Sequence, residues 1–252
     1  MADWTARLRA SGIHFAISVA IGLLAAALVF LVWYPYPYSE ISGGRELFAI
    51  LVGVDVVIGP AITFAVFNRR KPARELAMDL TLVALLQLGA LGYGLWTVAV
   101  ARPVHLVFEV DRLRVVHAID VPEELLGREP AGIQALPWTG PTLLSVRPFR
   151  DAQENLDTTL AALSGVSLSS RPDLWEPYEQ ARPRVLQAAR PVASLRNRPG
   201  INAVELESQL RRMGHDPARL AYLPVVSRKT FWTAFIDPAT ADVVAFLPLD
   251  SF

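Results

Sequence analysis

Asp55 is the residue in this chain whose type and setting most invite chemistry. It is the only charged side chain in the apolar run 47–67. A carboxylate among Val, Gly and Ile is costly unless it is neutralised, paired or hydrogen-bonded. Such a group could carry a proton or accept a hydrogen bond from a partner helix. It could also be satisfied locally by Gln87, Thr63 or a main-chain group. Pro60 follows within two turns and frees a carbonyl nearby. Glycines recur around it: Gly53 and Gly59 on the same run, and Gly89, Gly92 and Gly94 on a later one. Small residues four apart (Ser18/Gly22/Ala26, Ala49/Gly53, Ala90/Gly94) allow close backbone approach between helices in lipid. The candidate intramembrane contact set is therefore Asp55, Gly53, Gly59, Pro60, Gln87, Gly89, Gly92 and Gly94.

A second set lies further along. Glu109 and Asp111 fall on one face of an extended strand by parity, the spacing of a paired-acid site. Arg112 and Arg114 follow at once, which favours a salt-bridged surface. Glu109, Asp111, Arg112 and Trp232 are the candidate contacts of the outer part of the chain; Trp175, Trp232 and Phe231 could also build a core. No HExxH, GxSxG or Walker pattern is present, and the four histidines are widely spaced. Gly89, Gly92 and Gly94 have no preceding strand, so they do not read as a nucleotide loop. The sequence assigns no catalytic residue, no metal ligand and no cofactor. With no cysteine, thiolate metal sites, disulfides and Cys nucleophiles are excluded.

The elements that position these residues follow from charge. The 252 residues carry 24 Lys/Arg and 24 Asp/Glu, a net charge of zero that disfavours nucleic-acid binding. Mean hydropathy is +0.33. Residues 1–101 hold only seven of the basic and six of the acidic side chains. Three runs within them, 13–33, 47–67 and 80–101, are each about the 20 residues needed to cross a bilayer as a helix. Lipid offers no partner for a free backbone group, so each must be helical. The first run is too long for a signal-peptide core and lacks a small-residue cleavage site. His14 stands at its edge. Arg7 and Arg9, and then Arg69, Arg70, Lys71 and Arg74, mark the N-terminal tail and the second loop as cytoplasmic. Trp33, Tyr34, Tyr36 and Tyr38 suit an outer aromatic belt. Residues 102–252 are then extracytoplasmic.

The expected fold is an α-helical membrane domain of three transmembrane helices (1–101), followed by an α+β extracytoplasmic domain (102–252) with a largely antiparallel sheet. Strands are expected at 104–110, continuing through 112–116 past a bend, at 141–148, 220–226, 230–236 and 242–247. The last two form a hairpin through Asp237–Thr240. Helices are expected at 151–163, at 174–189 with an interruption at Pro183, and from Asn202 to Met213 before Gly214. The Pro- and Gly-rich stretch 120–140 reads as a surface loop.

The chain resembles the type IV pilin accessory proteins of the TfpX/TfpZ kind. The resemblance covers most of the chain and is strongest over 10–116. It is carried by ASGIHFAISVAIGLLAAALVFLVWYPYPYSEISGGREL (10–47), LVGVDVVIGPAITFAVFN (51–68), KPARELAMDL (71–80), LLQLGALGYGLWTVAVARPVHLVFEVDRLRVV (85–116) and WTAFIDPATADVV (232–244). It implies a non-enzymatic protein of the bacterial inner membrane that assists a cognate type IV pilin before or during pilus assembly. It also implies contact with the assembly machinery. Two other classes are compatible with the residues alone: a membrane-anchored hydrolase or transferase using its acids, and a membrane sensor or scaffold. The loop 68–79 is too short for a signalling output domain.

Overall fold

A computed structural model describes residues 2–68, 70–228 and 230–252; Arg69 of the basic loop lies outside the described residues. The chain forms two compact units, 1–101 and 102–252.

In the first unit, α1 (Ala2–Ala27) continues into a π-helical turn, Leu28–Trp33. Pro35 and Pro37 follow and cannot donate to a continued helix. One short turn, α2 (Tyr38–Ile41), leads to Gly43, whose φ of 71° is easy only for glycine, and then to α3 (Gly44–Gly53). A second π segment, Val54–Ile58, joins α3 to α4 (Gly59–Val66) without a break. Last comes α5 (Ala73–Val100). Trp4–Trp33, Gly44–Val66 and Ala73–Val100 are long and apolar enough to cross a membrane. Their leucines, such as Leu23, Leu24, Leu82 and Leu86, point outward, as suits a lipid solvent.

The second π segment has a local cause. Pro60 lacks an N–H, and its ring would strike the carbonyl of Val56 in a regular turn. Widening the turn relieves that crowding. In the wider register, the partner of the Asp55 carbonyl would be residue 60, which has no proton to give. Gln87 Nε2 donates to that carbonyl instead, at 3.2 Å.

The second unit is built around an eight-stranded mixed sheet. In chain order it contains β1 (Pro103–Glu109), β2 (Arg112–His117), β3 (Thr142–Val146), α6 (Ala152–Leu163), β4 (Trp175–Pro177), α7 (Tyr178–Ala188), β5 (Arg190–Pro191), α8 (Ala203–Arg212), β6 (Ala221–Val226), β7 (Trp232–Ile236) and β8 (Val243–Leu247). The strand order is β4-β3-β1-β2-β6-β7-β8, with β5 also on β6. β1/β3 and β2/β6 pair in parallel, and the other five pairs are antiparallel, so the expected α+β class with a largely antiparallel sheet holds.

Two apolar clusters anchor the sheet. One gathers Val104, Val107, Val116, Leu144 and Trp175; the other gathers Leu195, Leu206, Leu210, Tyr222, Phe235 and Leu247. Capping follows the sequence signals: Asn202 Oδ1 accepts from the Val204 and Glu205 N–H groups, and Asp151 Oδ1 accepts from the Glu154 N–H. The stretch 174–189 departs from expectation. Its start is strand β4, and α7 runs through Pro183 unbroken. Burial of Tyr178, Ala181 and Val185 on either side of the proline holds the helix in spite of the lost hydrogen bond.

Candidate docking cleft among the membrane helices

The second span lies between the other two. α4 packs on both α1 and α5, α3 packs on α5, and the π segment at Asp55 packs on α1. The first and third spans meet at one end, where Val29, Trp33, Tyr34 and Val98 cluster and the Tyr34 hydroxyl donates to the Val98 carbonyl at 3.1 Å. Away from that clasp a cleft of about 240 Å³ opens. His14, Ser18 and Gly22 of α1 form one wall and Ala84, Gln87 and Leu91 of α5 the other. Val52, Asp55 and Val56 form the floor. A second cavity of about 300 Å³, between α3 and α5, is also bordered by Asp55.

Asp55 stands eleven residues from each end of the span Gly44–Val66, so about 16 Å of helix separates it from either end. The groups expected to satisfy it are engaged elsewhere. Gln87 bonds its main-chain carbonyl rather than its carboxylate, and the Thr63 hydroxyl pairs with His14 Nδ1 at 2.5 Å. Asp55 Oδ1 is shielded and has no hydrogen-bond partner among the described residues. His14, expected as an interfacial residue, thus ties α1 to α4, as does Ser11 Oγ, which donates to the Pro60 carbonyl at 2.8 Å.

The glycines separate into two groups. A Cβ on Gly59 would fall inside the Gln87 carboxamide, and one on Gly94 would strike Leu51. These two serve packing inside the bundle. Gly53, Gly89 and Gly92 have open space where a Cβ would stand, so their faces are free for a neighbouring helix.

The second unit disposes of the outer candidates differently. β1 ends at Glu109, Val110 takes a φ of 55°, and Asp111 belongs to the turn. The parity argument therefore fails: the two acids do not share a strand face. Glu109 is buried and accepts from Arg114 Nε at 2.8 Å, while Asp111 accepts from Arg112 Nε at 2.8 Å. Trp232 is also buried, and its Nε1 donates to Thr230 Oγ1 at 3.1 Å. Of the four candidates only Asp111 and Arg112 offer atoms at the surface. Arg112 lies over the Phe252 ring, which packs edge-on against the half-exposed Phe231. Trp175 is fully buried in the core.

Two polar arrangements escaped the sequence reading. His105 Nε2 donates to the Ala135 carbonyl at 3.0 Å, so its Nδ1 accepts from the Thr142 hydroxyl at 2.6 Å. Burial pulls its pKa down to about 4. Asp120 Oδ2 accepts from both the ring Nδ1 and the main-chain N–H of His117, each at 3.0 Å, and Arg228 closes on Oδ1. Burial alone would raise the Asp120 carboxyl, but the bonds from His117 and Arg228 outweigh it and hold it at about 2. His117 and Asp120 are local, but the His105 contacts and the Asp120–Arg228 pair join residues far apart in sequence, which no local motif announces. Among the described residues, no group of three or more His, Asp or Glu is placed to hold a metal ion.

The family model of the fimbrial assembly protein FimB matches residues 2–43, the stretch that holds α1 and the first cleft wall. The fimbrial assembly protein, serogroup I, of Dichelobacter nodosus is 32% identical over 244 residues, covering 96% of this chain and 95% of that protein. The chain belongs to the fimbrial assembly protein family. The serogroup E1 member from the same organism is 33% identical over 246 residues, with the same coverage. The member named for serogroups C1 and C2 is 42% identical over 111 residues, 44% of this chain and 85% of that protein. No solved structure matches this fimbrial assembly family member.

Proposed function

We propose that this chain is a non-enzymatic assembly factor for fimbriae. It holds a type IV pilin subunit in the bacterial inner membrane before or during its incorporation. The full-length likeness to proteins named for fimbrial assembly carries the reading, and the cleft gives it a physical form. A fimbrial subunit waiting in a bilayer needs cover for an apolar stem and for a head outside. The three spans offer the first. Residues 102–252 offer the second, with Asp111, Arg112, Phe231 and Phe252 at their surface. Basic residues at Arg7, Arg9, Arg70, Lys71 and Arg74 favour a cytoplasmic N terminus and a periplasmic C-terminal domain. Helix α5 ends at Val100 and β1 begins at Pro103, so little chain separates the two contact regions. A short tether makes the second contact effectively intramolecular. The enzyme alternative loses its acid pair to two separate arginines.

Deleting the gene tests the reading. Surface fimbriae or subunit level should fall, and the chain supplied in trans should restore them. Unchanged fimbriation in the deletion strain would refute it.

A further inference from the structure

We propose that the Asp55 carboxylate accepts a hydrogen bond from a donor group on the subunit's transmembrane helix, and that this bond sets the depth at which that helix docks between α1 and α5. The inference rests on the reading above, that a fimbrial subunit helix is the occupant.

Three observations lead to it. First, the cleft has the shape of one helix–helix seam. Its walls are two spans that part away from the Tyr34–Val98 clasp, and its floor is the third. A fourth helix laid along it would complete a bundle with ordinary side-chain interdigitation. At about 240 Å³ the space is sized to receive side chains of a neighbouring helix. Second, the floor carries an acceptor without a donor. Gln87 and Thr63 are committed to the Asp55 carbonyl and to His14, and His14, which interacts electrostatically with Asp55, makes no hydrogen bond to its Oδ1. An acceptor shielded from water in an apolar span gains most from a partner that brings its own N–H or O–H. Third, the turn widened by Pro60 draws Gln87 Nε2 to the Asp55 main-chain carbonyl, so the carboxylate is left without that donor. Asp55 lies midway along its span, so a donor near mid-depth of the partner meets it, and a helix without one leaves it unpaired.

The test uses the full chain in fimbriated cells, with a photoreactive amino acid at Val52 or Leu88, both of which line the cleft. The unsubstituted Asp55 protein should capture the fimbrial subunit at a position within one helical turn of a side chain carrying an N–H or O–H donor. Asp55→Leu should lower capture about 3- to 20-fold, the range of an interhelical hydrogen bond in a bilayer. Asp55→Asn keeps a side-chain oxygen and should stay within about twofold. Capture unchanged in Asp55→Leu, or sites mapping far from any donor, would overturn the inference while leaving the proposed function standing. Capture of lipid or of a second copy alone would overturn both. Should Asp55→Leu fail to accumulate in membranes, the mapped capture site of the unsubstituted protein decides the matter.

Discussion

Gly59→Ala should destabilise the bundle, and removing Gln87 should reverse the sign of its effect. Alanine is the better helix former by about 0.5–1 kcal/mol, so backbone preference alone predicts a gain. The structure opposes it. The new methyl would occupy the place of the Gln87 carboxamide and lie 2.6 Å from its Cδ. Gln87 must swing away, and the Asp55 carbonyl loses the donor that stands in for the missing N–H of Pro60. An acceptor left unpaired costs about 1–3 kcal/mol, so the net loss is centred near about 1 kcal/mol and reaches at most about 2.5 kcal/mol. In a Gln87→Ala background there is no carboxamide to displace, and Gly59→Ala should then stabilise by about 0.5–1 kcal/mol. The assay is a denaturing-detergent titration of the micellar protein, followed by helical circular dichroism, for the wild type, both single variants and the double variant. Equal destabilisation in the two backgrounds would refute the account of Gly59, Gln87 and the widened turn.

Two predictions concern the outer unit. His105 is neutral in the fold with a pKa of about 4, while the unfolded chain takes up that proton near 6.5. Its contribution is complete above pH 6.5 and drains away as pH falls toward 4, for about 3 kcal/mol in all. Unfolding followed by tryptophan fluorescence across this window should show the slope in the wild type and lose it in His105→Gln; an unchanged slope would contradict the assignment. Asp120→Ala strips both partners from His117 Nδ1 and its main-chain N–H, so it should cost about 1–3 kcal/mol. Arg228→Ala should cost less, because that pair is partly exposed; the reverse ranking in the same unfolding assay would count against the geometry.

Legibility tracked how local the cause was. Apolar length sufficed for the spans, because lipid leaves the backbone one choice there, although charge gaps placed the start of α5 too late: Glu75 and Asp79 lie inside its first turns. Asn202, Asp151 and Gly214 announced their helix ends through side-chain capping and a left-handed φ. The failure at Glu109 and Asp111 came from a turn with no glycine to advertise it, since Val110 takes the positive φ. Spacing treated all the membrane glycines alike. Only the opposing helix decides that Gly59 and Gly94 are filled from within, while Gly53, Gly89 and Gly92 stay open. The Asp120–Arg228 pair spans 108 residues, a separation that leaves no sequence signature.

Cleft occupancy is the most direct test of the central claim. A photoreactive residue at Ile21, which lines the cleft, is compared in living cells with one at Leu82, which is exposed on α5 outside it. The account predicts that the fimbrial subunit is captured from Ile21 and not from Leu82. Equal capture from both positions, or capture from neither, would contradict it.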